Sequence, residues 1–558
     1  MSDYAGPLGR RARFPALARI EAELATRRGV LALVGVALAV YAVESIALPV
    51  VPGRDLGTYL RFYAQMWDWG SPLPMTMLFR TPLAPLVVGA TLDLAGGWGA
   101  QVLLAALFAG SIVAWTWAAL AFGRRAALVT AAALVLYPGY GILFHALSSD
   151  AVFAAAFAGW GLAVSRAVVG PTPARFALVG VAIAATALSR PGNQVLILSA
   201  LLPLALALPW RRRLACAASC AAVAVLLLGA WVVNNGLRYD DYALARGGQA
   251  YLPFFRAFTT DHIVSPDNGP ASRALAGVVE RELLTQEPYR SYGVTTERFF
   301  TRAGHREFED VLSLTDRVWG WDSDYAMMRK VGLEAVRAHP GAYARGVVDT
   351  FVEELWQPLH VALPARATAA AAPGAAAAPG LGVDASGKAV GGAASPLPVP
   401  TDGAQIPSAR QGIFSSTPDR SVREVWTSPA AHQVVFDDER ERRRWDAAEA
   451  KAASLAAGVP PYPGSAWLTR QFSRSSKLYP PPLLWLVAGT VGLLLRRPAR
   501  AGLALALALG GLLVTLLNAL TIYPIIEFAV PIVPALVVFA AAGLVGERRT
   551  SVHPSSGG

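Results

Sequence analysis

Four acidic residues stand just beyond the ends of long apolar runs: Asp55, Asp68, Asp150 and Glu527. A carboxylate at such a boundary can take a proton from an acceptor hydroxyl or orient a divalent metal. Asp55 lies in Pro52-Gly53-Arg54-Asp55-Leu56-Gly57-Thr58-Tyr59, and Asp150 follows Leu147-Ser148-Ser149. Either could equally be a water-exposed helix cap, a position that Asp favours. His145 and His339 have no second histidine at ligand spacing, so capping or packing is the simpler reading. Cys216 and Cys220 sit four apart inside one apolar run, as small lipid- or core-facing residues. With no cysteine in the large polar region, neither a disulfide framework nor a cysteine zinc site is available there.

The elements that must position these residues are membrane spans. The 558 residues are 54% hydrophobic and 16% charged, with a mean hydropathy of +0.41. Residues 99–122, 126–144, 151–165, 194–210, 214–233 and 501–520 contain no Asp, Glu, Lys or Arg. Runs of about 17–25 apolar residues suit the hydrocarbon core of a bilayer. The net charge of +11 invites a nucleic-acid reading, but its arginines cluster between apolar runs: Arg10 to Arg28, Arg124 and Arg125, Arg211 to Arg213, Arg496 to Arg500, Arg548 and Arg549. That is the positive-inside pattern and not a basic patch on one soluble face. No nucleic-acid partner is expected.

The sequence predicts an α-helical polytopic membrane protein with about ten spans, near 29–50, 99–122, 125–143, 149–168, 175–190, 193–210, 214–233, 481–496, 500–520 and 523–545. Every arginine cluster then faces the cytoplasm, with both termini, in the plasma (inner) membrane. The apolar stretch 81–95 is short, is broken by Pro82 and Pro85 and carries Asp93, so it reads as an interfacial or re-entrant helix. The first span has a basic flank and no small-residue cleavage site, and reads as a signal anchor. The organisation is a basic N-terminus at 1–28, a membrane domain at 29–233 with its first outer loop at 51–98, a mixed extracytoplasmic region at 234–480, C-terminal helices at 481–545 and a cytoplasmic tail at 546–558. Within the outer region, 367–400 is Ala/Gly/Pro low complexity and reads as a tether. Helical signals precede it at 271–287 and 324–357, and 437–451 reads as a solvated helix of mixed charge. Gly382, Gly387 and Lys388 spell G-x-x-x-x-G-K, but Ala389 stands where a phosphate-binding loop needs Ser or Thr. With almost no charge in the middle of the spans, the site is expected at the outer membrane surface.

A series of short motifs runs in order along this frame. After Asp55 and Tyr59 come Arg80-Thr81-Pro82-Leu83-Ala84-Pro85-Leu86, Phe122-Gly123-Arg124-Arg125, Tyr137-Pro138 and Leu147-Ser148-Ser149-Asp150. Ala187-Leu188-Ser189-Arg190-Pro191-Gly192, Ala338-His339-Pro340-Gly341-Ala342-Tyr343 and Tyr523-Pro524-Ile525-Ile526-Glu527-Phe528-Ala529-Val530-Pro531 complete it. The series resembles the GT-C superfamily of lipid-linked-sugar glycosyltransferases, over 29–233 and 481–545. The closer likeness is to bacterial branches related to protein mannosyltransferases and to aminoarabinose transfer onto lipid A.

The resemblance implies that Asp55 is the general base for the acceptor hydroxyl. Asp150 would help bind the donor phosphate through a divalent metal, or position the acceptor. Arg80 and Arg190 would hold the donor phosphate, since guanidinium offers a bidentate fork; Arg190 could equally be an interfacial anchor. Tyr59 and Glu527 are substrate-binding candidates, although Tyr at an interface usually belongs to the aromatic belt. A common family pattern has an acidic pair in the first loop, whereas here Leu56 follows Asp55. The function implied is inverting transfer of a sugar from a polyprenyl phosphate to an extracytoplasmic acceptor. The rivals are a flippase or transporter of lipid-linked intermediates, which needs a polar path through the spans, and a non-catalytic protein that binds envelope polymer.

Overall fold

The computed structural model describes residues 23, 26–53, 56–67, 80–286, 289–320, 323, 325–357, 395–396, 422–428, 431–436, 439–458 and 465–548. Asp55, Asp68, the G-x-x-x-x-G-K stretch and nearly all of 367–400 lie outside the described residues.

The chain is a helical polytopic membrane protein. Its first span is α1 (Arg27–Ala47), which starts where the Thr26 hydroxyl accepts the Gly29 N–H at 3.1 Å. It leads into β1 (Val51–Pro52) and α2 (Leu56–Met66). The next helix, α3 (Leu83–Ala119), has 37 residues and breaks at Gly96, where φ is 57° and ψ −151°. Only glycine adopts that backbone cheaply. At 1.5 Å per residue the whole helix would be about 55 Å long, against about 30 Å of hydrocarbon, while the piece beyond Gly96 alone suffices to cross. The break falls where the sequence separates 81–95 from the span at 99–122.

There follow α4 (Arg124–Val135), α5 (Pro138–Leu143), β2 (Ala146–Leu147), α6 (Ser149–Val169) and α7 (Pro173–Ser189). A 3₁₀ helix, Pro191–Ala205, and α8 (Trp210–Tyr239) close the first half. The core between α3 and α6 is aromatic. The Phe157 and Trp160 rings stack at 5.0 Å, Trp115 meets Phe157 edge-on at 5.4 Å, and the Trp160 indole donates to Ser199 Oγ at 3.2 Å. Cys216 and Cys220 are buried in α8 where it packs on α7.

Outside the spans, a second apolar core gathers around Phe254, Phe255, Phe258, Phe299 and Phe308. It is built by residues 251–258 with α9 (Pro270–Val278), α10 (His305–Trp319) and α11 (Ala326–Ala338), while Leu355 of α12 (Pro340–Trp356) joins the core of the membrane helices, and the helical signals at 271–287 and 324–357 appear as helices. His339 is exposed at the joint between α11 and α12. The strands β3 (Ser395–Pro396), β4 (Val422–Ser428) and β5 (Ala431–Phe436) form an antiparallel sheet in the order β3-β5-β4. Then come α13 (Glu439–Gly458), α14 (Ala466–Leu478), α15 (Pro482–Arg496), α16 (Ala501–Thr521) and α17 (Val533–Val545). Nearly every residue of α17 is buried, as expected of a helix apolar all round and packed between α15 and α16.

Two expectations change. Six described helices are long and apolar enough to cross a membrane, or seven if the bent pair α14 and α15 is one span, in place of ten. The segment at 125–143 is interrupted between Val135 and Pro138, α7 has 17 residues, and 193–210 winds mainly as a 3₁₀ helix of 15 residues. The pitch explains part of the difference, since a 3₁₀ helix rises about 2.0 Å per residue and covers more depth than its residue count suggests. The second change concerns 437–451. Helix α13 is not simply solvated: Trp445 is 4% exposed, and Ala452 and Leu455 are fully buried. Trp445 lies over the Arg61 guanidinium of α2 at 4.4 Å, and Lys451 pairs with Asp93 of α3.

The outer core is tied to the membrane helices by Arg256, which is 1% exposed. Its Nε and Nη2 grip the Asp261 carboxylate at 3.0 Å each, and its Nη1 donates to Thr350 Oγ1 and to the carbonyls of Ala519 and Ile522 at 3.0, 2.6 and 3.1 Å. A guanidinium suits the carbonyl-rich end of α16. Nearby, burial raises the Glu354 carboxyl to about 8, although the Ile525 N–H and the charge of Arg256 pull it down.

Candidate active site

The site is organised by a short parallel ladder that joins β1 to β2, with Val51 opposite Ala146 and Pro52 opposite Leu147. The Val51 N–H donates to His145 O at 2.9 Å and the Gly53 N–H to Leu147 O at 3.1 Å. A Cβ on Gly53 would stand 2.5 Å from Ser148 Cβ, so only glycine allows this approach. Beneath the ladder, Glu44 of α1 faces His145 at 3.5 Å, and the Tyr41 ring stacks on His145 at 4.3 Å while its hydroxyl donates to Phe144 O at 3.0 Å. These contacts fasten the C-terminal end of α1 to the segment that runs into Asp150.

Ser148 is extended and caps α6, its hydroxyl accepting the Asp150 N–H at 3.2 Å. Asp150 therefore projects from the first turn of α6. Arg190 comes from the end of α7: Pro191 disfavours helical backbone at the residue before it, and Arg190 is extended, with φ −152° and ψ 126°. The two side chains meet with Nη2 2.5 Å from Oδ1. Their side chains keep 12% and 18% exposure, so the pair is open at one face.

Other groups complete the cluster. Ser149 Oγ accepts from Arg190 Nε at 3.2 Å and from the Tyr59 hydroxyl at 2.7 Å. Arg80 lies 5.6 Å from the Tyr59 ring centre, and Arg190 lies over Phe528 at 4.3 Å. Glu527 is half-buried, one residue before Phe528. The structure thus brings together Tyr59, Arg80, Asp150 and Arg190, with Glu527 adjoining, from segments far apart in the chain. Asp55 is outside the described residues, but Gly53 before it and Leu56 after it are both described. Tyr59 is buried and hydrogen-bonded, not a lone belt residue.

Sequence reasoning gave no role to Ser149 or Phe528, although both stand inside quoted motifs. A hydroxyl next to the acid and an aromatic next to Glu527 were the available signals. Arg256 was missed; a lone arginine in the aromatic run 251–258 is the signal that a buried partner must exist.

Chemically, one guanidinium, Arg190, sits against the Asp150 carboxylate, and a second, Arg80, lies by the Tyr59 ring whose hydroxyl joins the same corner. That arrangement can receive an anion with oxygens arranged for fork-like hydrogen bonds, such as a phosphate. No group of three or more His, Cys, Asp or Glu side chains that could hold a metal ion is found among the described residues. Asp150 faces Arg190.

No protein-family model matches the chain, and no curated protein matches it. Solved structures do. ArnT from Cupriavidus metallidurans bound to undecaprenyl phosphate aligns with 17% identity and a TM-score of 0.34, covering 61% of this chain and 67% of that one. The apo state of the same protein gives 17% identity and a TM-score of 0.31, with coverages of 60% and 66%. The Archaeoglobus fulgidus oligosaccharyltransferase tethered with an acceptor peptide gives 14% identity and a TM-score of 0.25, with coverages of 60% and 51%.

Proposed function

We propose that the chain is an inverting membrane glycosyltransferase that moves a sugar from a polyprenyl phosphate to an extracytoplasmic acceptor in the cell envelope. The observation that carries the reading is the convergence of Arg80 and Arg190 on the Tyr59–Ser149–Asp150 corner. In the proposed reaction, an acceptor oxygen attacks the anomeric carbon as the bond to the phosphate oxygen breaks. Asp55 takes the acceptor proton, and the two arginines stabilise the charge on the departing phosphate. The lipid tail keeps the donor in the bilayer, so no nucleotide-binding fold is required. Asp150 holds Arg190 in place, and Tyr59 orients Ser149 beside it.

The arginine test is direct. Arg190→Gln, and separately Arg80→Gln, should weaken binding of a polyprenyl-phosphate sugar about ten- to a hundredfold, the loss of one charge-assisted hydrogen bond. An unchanged donor affinity in both variants would return the arginines to an anchoring role.

The orientation proposed follows the arginine clusters: both termini are cytoplasmic and the site faces outward across the plasma membrane. In a cysteine-free background in intact cells, an impermeant thiol reagent should label a cysteine placed at Ala404 and spare one at Arg212. Labelling at 212 would invert the topology.

A further inference from the structure

Helix α14 turns an unusual face outward. Its small hydroxyl residues Thr469, Ser473 and Ser476 pack inward, and Thr469 Oγ1 lies 3.3 Å from Ala47 O, to which it donates. The Ser465 N–H donates to Ile46 O at 3.4 Å, so the helix sits against the last turn of α1. That end of α1 is the end that leads to β1 and the active site. At its other end, α14 bends by 41° into α15, and Tyr479 after it stacks on Tyr137 at 3.9 Å. The helix therefore lies where spans meet the boundary layer on the site's side.

The outward face carries Trp467 and Leu478, 60% and 84% exposed, with Arg470, Arg474 and Lys477 exposed between them. These spacings form one stripe of a helix. None of the three cations has an ion-pair partner among the described residues, and the chain contains no Asp or Glu between Ala450 and Ile526. Exposed apolar ends suit the acyl boundary, and long cationic side chains reach from it into the headgroup layer. A row of three cations with no ion-pair partner among the described residues is suited, at that depth, to anions held in the same plane.

We propose that the outward face of α14 docks the phosphate headgroups of anionic phospholipids in the leaflet on the site's side. The docking anchors the α14–α15 bend against α1, and it does not depend on the transferase reading.

The test is lipid binding to the purified full-length protein in detergent, followed by native mass spectrometry, with phosphatidylglycerol and phosphatidylcholine titrated in parallel. Each surface cation contributes roughly a fivefold preference for anionic lipid. The triple variant Arg470→Gln, Arg474→Gln, Lys477→Gln should therefore bind phosphatidylglycerol about a hundredfold more weakly than wild type, with phosphatidylcholine unchanged. Arg474→Gln alone should cost about fivefold, which keeps the test open if the triple variant is unstable. Equal phosphatidylglycerol binding by wild type and both variants would overturn the proposal. So would displacement of the lipid by millimolar inorganic phosphate, which would assign the stripe to a free anion.

Discussion

Asp55→Asn should lower sugar transfer by about two to four orders of magnitude, the usual contribution of a general base. The amide keeps the shape of the side chain and removes its capacity to accept a proton. The expectation rests on sequence and on the described flank. Gly53 is held against Leu147 and Ser148 by the ladder, and Asp55 follows two residues later, in the motif that best matches the first-loop acid of the GT-C superfamily. Expression and detergent stability should stay close to wild type, because the amide is isosteric with the carboxylate. Asp68→Asn, in the same loop and outside the motif, is the control and should retain most activity. Near-normal transfer by a folded Asp55→Asn protein would remove the catalytic assignment.

The second large effect is structural. Arg256→Leu should destabilise the protein by about 3–5 kcal/mol, because the buried Asp261 carboxylate loses its partner. Burial already raises the Asp261 carboxyl against the pull of Arg256, so its charge there depends on that guanidinium. The variant also uncaps α16, whose last turn leads through 522–528 to Phe528 beneath Arg190. Loss of the outer core's grip should thus show as a lower melting temperature in detergent and as lower donor affinity. The double variant Arg256→Leu with Asp261→Leu should recover much of the stability, since it leaves no unpaired buried charge. A single variant that melts within about a degree of wild type would show that the five hydrogen bonds of Arg256 contribute little.

The membrane character was legible because charge-free apolar blocks leave few alternatives, and each expected span between 29 and 545 coincides with helical structure, whole or interrupted. The number of full-length spans was not legible. Hydropathy does not register the interruption ahead of Pro138, or a 3₁₀ pitch after Pro191. For the candidate site, residue types and motifs single out Asp150, Arg80, Arg190 and Tyr59, and the structure places these four at one corner. Their mutual contacts were hidden. Asp150 and Arg190 are forty residues apart and meet only because α6 and α7 run as an antiparallel pair whose far ends close on one corner. The docking of α13 was hidden for another reason: its alternating charges look solvated until Trp445 finds Arg61 of α2 and Lys451 finds Asp93 of α3.

The most direct test of the central claim is transfer itself. Purified protein in proteoliposomes would be given a pool of polyprenyl-phosphate sugars carrying radiolabel in the sugar, with an envelope extract as acceptor. The account predicts that label leaves the lipid fraction, that free polyprenyl phosphate accumulates, and that Arg190→Gln needs a higher donor concentration for the same rate. Labelled lipid that crosses the bilayer intact, with no release of polyprenyl phosphate, would contradict it.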